Sequence, residues 1–187
     1  MNALVYLLST VFDLYIMVVL LRAWLQIAEV DFYNPFSQFV VKSTQPVVGP
    51  LRRIIPAIGR LDISVILFAF VLCTLKFIAL LLLSKASFPP LGFLFIISGL
   101  SLLKAIGTLL FWVLLLRSIL SWVSQGQNPV EYVFYQLTEP MLAPIRRIIP
   151  VMGGFDFSVL VLFIVLQFSN YLIGDLLGSV GINWGGI

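Results

Sequence analysis

Pro46-Val47-Val48-Gly49-Pro50-Leu51-Arg52-Arg53-Ile54-Ile55-Pro56 returns as Pro140-Met141-Leu142-Ala143-Pro144-Ile145-Arg146-Arg147-Ile148-Ile149-Pro150, at an offset of 94 residues. The proline spacing is kept and the Arg-Arg-Ile-Ile-Pro core is identical. Each proline removes a backbone donor and crowds the preceding turn, so this density predicts a loop rather than a continuous helix. Around the motif, residues 34–64 align with 128–158 without a gap, and thirteen of the thirty-one positions are identical. Chance likeness between greasy segments would match Leu and Val. Here eleven of the thirteen matches fall on Asn, Thr, Pro, Arg, Gly, Asp and Ser, so the chain contains an internal repeat.

The segments flanking the motif decide the fold class. Hydrophobic residues make up 61% of the 187 residues and charged ones 10%, with a mean hydropathy of +1.12. Soluble domains average roughly 45–50% and 25%. A soluble domain of this length has no interior large enough for that apolar surface, which makes this a multi-pass membrane protein. Four apolar runs, at about 3–25, 63–83, 91–122 and 157–177, each supply the roughly 20 residues a helix needs to cross a bilayer. The first is too long for a signal-peptide core and has no basic residue before it, so it reads as a retained span. The third exceeds what a span needs, which allows either tilt or a separate shallow start before Lys104.

Each motif is preceded by Asn-Pro, at Asn34-Pro35 and Asn128-Pro129, a cap residue followed by the residue favoured at the first helical position. Phe36, Phe39 and Val40 in one copy, and Val130, Val133, Phe134 and Leu137 in the other, predict one apolar face on a short interfacial helix. Glu131 stands at capping-box spacing from Asn128. After each motif come Gly59 or Gly153 and then Asp62-Ile63-Ser64 or Asp156-Phe157-Ser158, where Asp or Ser can cap the next span. The expected architecture is all-α: four transmembrane helices in two parallel hairpin repeats, residues 1–83 and 91–187 joined by a central loop at 84–90. Each repeat carries an amphipathic helix and a proline-rich interfacial loop.

Charge gives the orientation. Lys42, Arg52, Arg53, Arg60, Arg146 and Arg147 lie in the two motif segments, whereas the central loop holds only Lys85. The positive-inside rule then places both motif segments in the cytoplasm and both termini outside. The net charge of +3 is a topology signal rather than a nucleic-acid footprint.

Three uses of the motif residues Pro46, Pro50, Arg52, Arg53, Pro56, Pro140, Pro144, Arg146, Arg147 and Pro150 are open. They can be architectural, bind anionic lipid headgroups, or dock a membrane or division protein. A second pattern is the intramembrane charges. Counted from the cytoplasmic end of each span, Asp13 and Lys76 lie about twelve and thirteen residues deep, and Lys104 and Asp175 about sixteen and eighteen, at about 1.5 Å per residue. Each repeat can thus pair an acid with a lysine. Such pairs either lock the helices or mark an ion pathway, because an unpaired charge costs roughly 2.5–3.5 kcal/mol on insertion scales.

Histidine is absent and Cys73 is the single cysteine. That removes imidazole-based catalysis, histidine ligation of zinc or haem, and internal disulfides. No catalytic, cofactor-binding or metal-binding residue is predicted, and the chain is not expected to be an enzyme.

The repeated Pro-x-x-x-Pro-x-Arg-Arg-Ile-Ile-Pro, the Gly and Asp-x-Ser after it, and the Asn-Pro before it resemble the YggT family in its two-repeat bacterial form. The resemblance covers nearly the whole chain. It implies an inner-membrane protein linked to osmotic or salt-stress tolerance and to division factors, and in plastid relatives to cytochrome b maturation. It brings no catalytic residues. The reading is an organising or assembly factor in contact with membrane lipids, a protein partner or further copies of itself. The alternative is a small ion or osmolyte channel built on the intramembrane charges.

Overall fold

A computed structural model describes residues 3–55, 59, 62–123, 128–149 and 156–187. Among them are six α-helices and a short 3-10 turn, and no strand. The helices are α1 (Ala3–Ile27), α2 (Pro35–Ile54), α3 (Ile63–Ser84), α4 (Leu91–Val123), α5 (Pro129–Ile148) and α6 (Phe157–Gly178), and the turn is Trp184–Gly186. Four of them, α1, α3, α4 and α6, are long and apolar enough to cross a membrane. In their most apolar stretches only 22%, 33%, 22% and 11% of residues are buried inside the protein. Side chains such as Leu4, Leu7, Val11, Leu14 and Phe168 stand exposed. So large an uncovered apolar surface is stable only against hydrocarbon. The third apolar run is one continuous helix of 33 residues, without a separate shallow start.

The motif segments differ from the expected loops. Pro46 and Pro50 lie inside α2, and Pro140 and Pro144 inside α5, each a helix of 20 residues. Pro56, Arg60, Pro150 and Gly153 lie outside the described residues. The physical reason is the four-residue spacing of the prolines. It stacks both rings on one stripe of the helix, and in each copy that stripe is exposed. The carbonyls that lose their amide partners therefore face outward, where water or headgroups can satisfy them, and the bend needs no room in a packed interior.

The starts of these helices follow the local chemistry: Asn34 Oδ1 accepts from the Phe36 amide and Asn128 Oδ1 from the Val130 amide, both at 2.9 Å. The buried stripe of α2 is Ser37, Val40, Thr44 and Val48, with Phe39 exposed. It is displaced from the expected Phe36–Phe39–Val40 face because α1 and α3 pack on the side that carries Thr44. In α5 the buried side chains are Val133, Phe134, Leu137, Thr138 and Leu142.

The chain divides into two compact units, Met1–Ile106 and Gly107–Ile187. In the first, α1 packs on α2 and α3, and α2 on α3. Ile16, Val19, Ala23, Val65, Ala69 and Cys73 are buried there, and the small members of that set let the helix backbones approach closely. Tyr15 meets Phe68 edge-on at 6.1 Å, and Phe95 from the first part of α4 stacks on Phe70 at 6.2 Å. In the second, α5 packs on α6 and Phe111 of α4 meets Phe163 of α6 at 5.2 Å. Trp184 folds back on α6, where its Nε1 donates to Asn170 Oδ1 at 2.8 Å. Gly174 makes room for its ring, since a Cβ there would already touch Trp184 Cδ1 at 3.4 Å.

Helix α3 ends on Lys85 in the left-handed region (φ 53°), with the Lys85 amide donating to Leu82 and the Ala86 amide to Leu81. A lysine holds this conformation at a cost a glycine does not carry. Lys85→Gly is expected to stabilise the protein by about 1 kcal/mol, seen as a raised thermal midpoint in detergent; a lowered midpoint would show that the lysine side chain supports the turn.

Candidate functional site

The two motif helices each hold an arginine-centred cluster built from the same parts. Near the end of α1, Arg22 is 3% exposed and reaches into α2. Its Nη1 donates to Thr44 Oγ1 at 2.8 Å and its Nη2 to Gln45 Oε1 at 2.8 Å. Thr44 can accept because its own hydroxyl proton goes to Val40 O, four residues back, at 2.8 Å. Two residues past the second proline, Arg52 pairs with Asp62, which stands at the N-cap position of α3 without a side-chain cap bond. The Arg52 Nη2 also donates to Gln26 Oε1 at 2.6 Å. Ser64 donates to the Ile55 carbonyl at 2.7 Å, which fixes the exit of α2 against the start of α3.

The second unit repeats the plan. Arg117 of α4 is 8% exposed and donates to Thr138 Oγ1 and, at 3.2 Å, to Glu139 Oε2. Thr138 again gives its proton to the carbonyl four residues back, Phe134 O, at 2.7 Å. Arg146 holds Asp156 through Nε at 3.0 Å and Nη2 at 2.6 Å, and holds both Glu139 oxygens through Nη1 at 2.9 Å. Tyr135 lies under the Arg117 guanidinium at 5.0 Å, a cation–π contact. Asp156 Oδ1 also accepts from the Ser158 amide at 3.1 Å and so caps α6.

Electrostatics in the second cluster follow from these bonds. Burial works against the charge on Asp156, but the hydrogen bonds from Arg146 and Ser158 outweigh it and hold the carboxyl below its ordinary 3.8. Burial likewise opposes the charge on Arg146, and its bonds to Asp156 and Glu139 outweigh that and raise its pKa. Arg146 and Asp156 are therefore held as a charged pair around pH 7.

The twin arginines of each motif are not equivalent. Arg52 and Arg146 pair with the aspartate ten residues later, Arg52 while its own side chain is 40% exposed, whereas Arg53 and Arg147 are exposed without such an aspartate pair among the described residues. Adjacent residues on a helix are about 100° apart, so one arginine locks the next helix and the other faces outward.

Among the intramembrane charges, Lys76 Nζ meets Asp13 Oδ1 at 2.7 Å between α3 and α1, and Ser9 donates to the other Asp13 oxygen at 3.2 Å. The lysine side chain is 6% exposed and the aspartate 40%. Lys104 is half-buried on α4 in the first unit, and Asp175 is exposed in the last turn of α6 in the second. Arg22, Thr44, Gln45, Arg117, Thr138 and Glu139 were not singled out as site residues from sequence. The signal was there in the identical Thr44 and Thr138, each close to the start of the motif and each preceded by a span ending in arginine.

This arrangement can be set beside known proteins. A profile of the CCB3/YggT family matches residues 1–83 and 96–177, the two stretches that carry the two clusters. The chain is 64% identical over 181 residues to a Vibrio alginolyticus protein named "Uncharacterized protein in proC 3'region", covering 96% of this chain and 98% of that one. It is 52% identical over 181 residues to "Uncharacterized protein YggT" of Escherichia coli K12, covering 97% and 94%. With a Haemophilus influenzae protein it shares 43% identity over 174 residues, 93% of each chain. No solved structure matches. A family profile that falls on both halves, and relatives of this similarity along nearly the whole length, lead to one conclusion: the chain belongs to the CCB3/YggT family.

Proposed function

We propose that this protein is a multi-pass inner-membrane organising or assembly factor, whose two motif helices form a cytoplasmic face for anionic headgroups and for a protein partner. The observation that carries the reading is the division of labour in each Arg-Arg pair: Arg52 and Arg146 are engaged by aspartates, while the exposed Arg53 and Arg147 are left to face outward. In each repeat, a helical hairpin of two spans would frame an interfacial amphipathic helix held down by the buried Arg22 or Arg117. The positive-inside bias of Lys42, Arg52, Arg53, Arg146 and Arg147 supports a cytoplasmic placement of both motif helices, with the termini periplasmic. A basic patch in each unit suits a protein partner or a second copy of the chain. A contribution to osmotic or salt-stress tolerance would then run through that complex.

The channel reading is less well supported. Asp13 and Lys76 neutralise each other at 2.7 Å, which favours a bracing role over a transport path.

The test is photocrosslinking in cells with a photoreactive residue at Arg53 or Arg147, and at lipid-facing Leu67 as control. A discrete protein adduct at the arginine positions, absent at Leu67 and lost when the other exposed arginine is changed to Glu, is the expected result. Adducts to lipid alone at all three positions would end the partner reading.

A further inference from the structure

The two arginine clusters match in plan and differ in charge. Where the second unit has Glu139, bridging Arg117 and Arg146, the first has Gln45. Where the second has Gln136, the first has Lys42, and where the second has the Tyr135 ring over Arg117, the first has Val41. In the first unit a cavity of about 430 Å³ lies between α1 and α2, lined among others by Arg22, Gln26, Lys42, Gln45 and Arg52. That volume falls within the roughly 300–1,000 Å³ of small-ligand sites. Among the described residues its lining holds three cations and no carboxylate, and the nearby carboxylate, Asp62, is paired directly with Arg52.

The neutral groups in the lining also point to an anion. Gln45 Oε1 accepts from Arg22 and Gln26 Oε1 accepts from Arg52. Both amides therefore turn their oxygens to arginine and keep their NH2 ends as donors. A buried guanidinium bonded only to neutral acceptors is poorly compensated, and the second unit shows the remedy, an oxyanion bridging both arginines. We infer that the first-unit cavity binds a phosphate-class anion, which takes the place between Arg22 and Arg52 that the Glu139 carboxylate takes between Arg117 and Arg146. Phosphate suits it better than a carboxylate because its oxygens project in three or four directions, matching cations contributed from two helices. Arg22 lies close to the end of its span and Asp62 stands at the N-cap position of the next, so the cavity is at headgroup depth. It can be filled by the phosphodiester of an anionic lipid or by soluble phosphate. This site does not depend on the organising role proposed above, since Arg53 and Arg147 are not in its lining.

The experiment uses the purified full-length protein in non-ionic detergent and two arms. Native mass spectrometry measures retention of phosphatidylglycerol against uncharged diacylglycerol. Thermal unfolding follows titration with inorganic phosphate against chloride at matched ionic strength. Gln45→Glu installs the second unit's carboxylate and is expected to weaken binding at least about tenfold while keeping the fold. Lys42→Gln, an exposed position, is expected to weaken it about threefold and serves where Gln45→Glu does not fold. Arg53→Gln, outside the cavity, should leave affinity unchanged. Binding in the lipid arm alone assigns a headgroup, and binding in the phosphate arm assigns a soluble anion. No binding in either arm overturns the inference. So does binding that Gln45→Glu and Lys42→Gln leave intact, or that Arg53→Gln weakens equally.

Discussion

Asp62→Asn is expected to destabilise the protein by about 3 kcal/mol, and Asp156→Asn by only about 1 kcal/mol, although the two aspartates hold equivalent positions. The Asp62 side chain is fully buried, and it is the carboxylate that compensates Arg52 beside the buried Arg22. Neutralising it leaves two guanidinium groups facing each other with only amide and hydroxyl acceptors. In the second unit Arg146 keeps both oxygens of Glu139 at 2.9 Å after Asp156 is neutralised, and an asparagine can still accept from the Ser158 amide. The figure for Asp62 is taken at the lower end of the range for broken buried pairs because the Arg52 side chain is 40% exposed. Thermal unfolding of the two full-length variants in one detergent checks the ordering. Equal losses, or a larger loss at Asp156, would show that Glu139 does not carry the compensation assigned to it.

Asp13→Asn is expected to cost about 3 kcal/mol, and the double variant Asp13→Asn/Lys76→Met to recover most of it. The single change strands an ammonium whose side chain is 6% exposed among apolar helices, with the Phe77 ring at 5.8 Å as a remaining electrostatic contact. Removing both charges takes away the burden as well as the bond, and methionine follows the path of the lysine stem. Recovery of monodisperse protein from membranes and its thermal midpoint give the readout. A single variant as stable as the parent, or a double variant worse than the single, would remove the bracing role.

Much of this was legible one residue at a time. The spans stood out because hydrocarbon demands long unbroken apolar runs, and the repeat because Pro, Arg, Asp and Thr recur at fixed spacing while the apolar positions drift. The helix starts at Asn34 and Asn128 were legible because a cap is a bond across two residues. The path of the chain through Pro46 and Pro50 was not. A local rule charges each proline separately, whereas the outcome turns on whether the released carbonyls face outward, and only the packing of α2 on α1 and α3 settles that. The different fates of Arg52 and Arg53 likewise need the position of Asp62, ten residues on and across a chain reversal.

By itself, the sequence determined that this is a membrane-embedded helical protein with a duplicated basic motif and no imidazole chemistry, because those properties depend on composition and spacing. Only the tertiary structure decided that Arg22 meets Thr44 and Gln45, that Lys76 meets Asp13, and that Glu139, where the first unit has Gln45, ties Arg117 and Arg146 into one ion-pair network. Those outcomes depend on which side chains share a few ångströms of low-dielectric space, where one carboxylate more or less decides whether two arginines are satisfied.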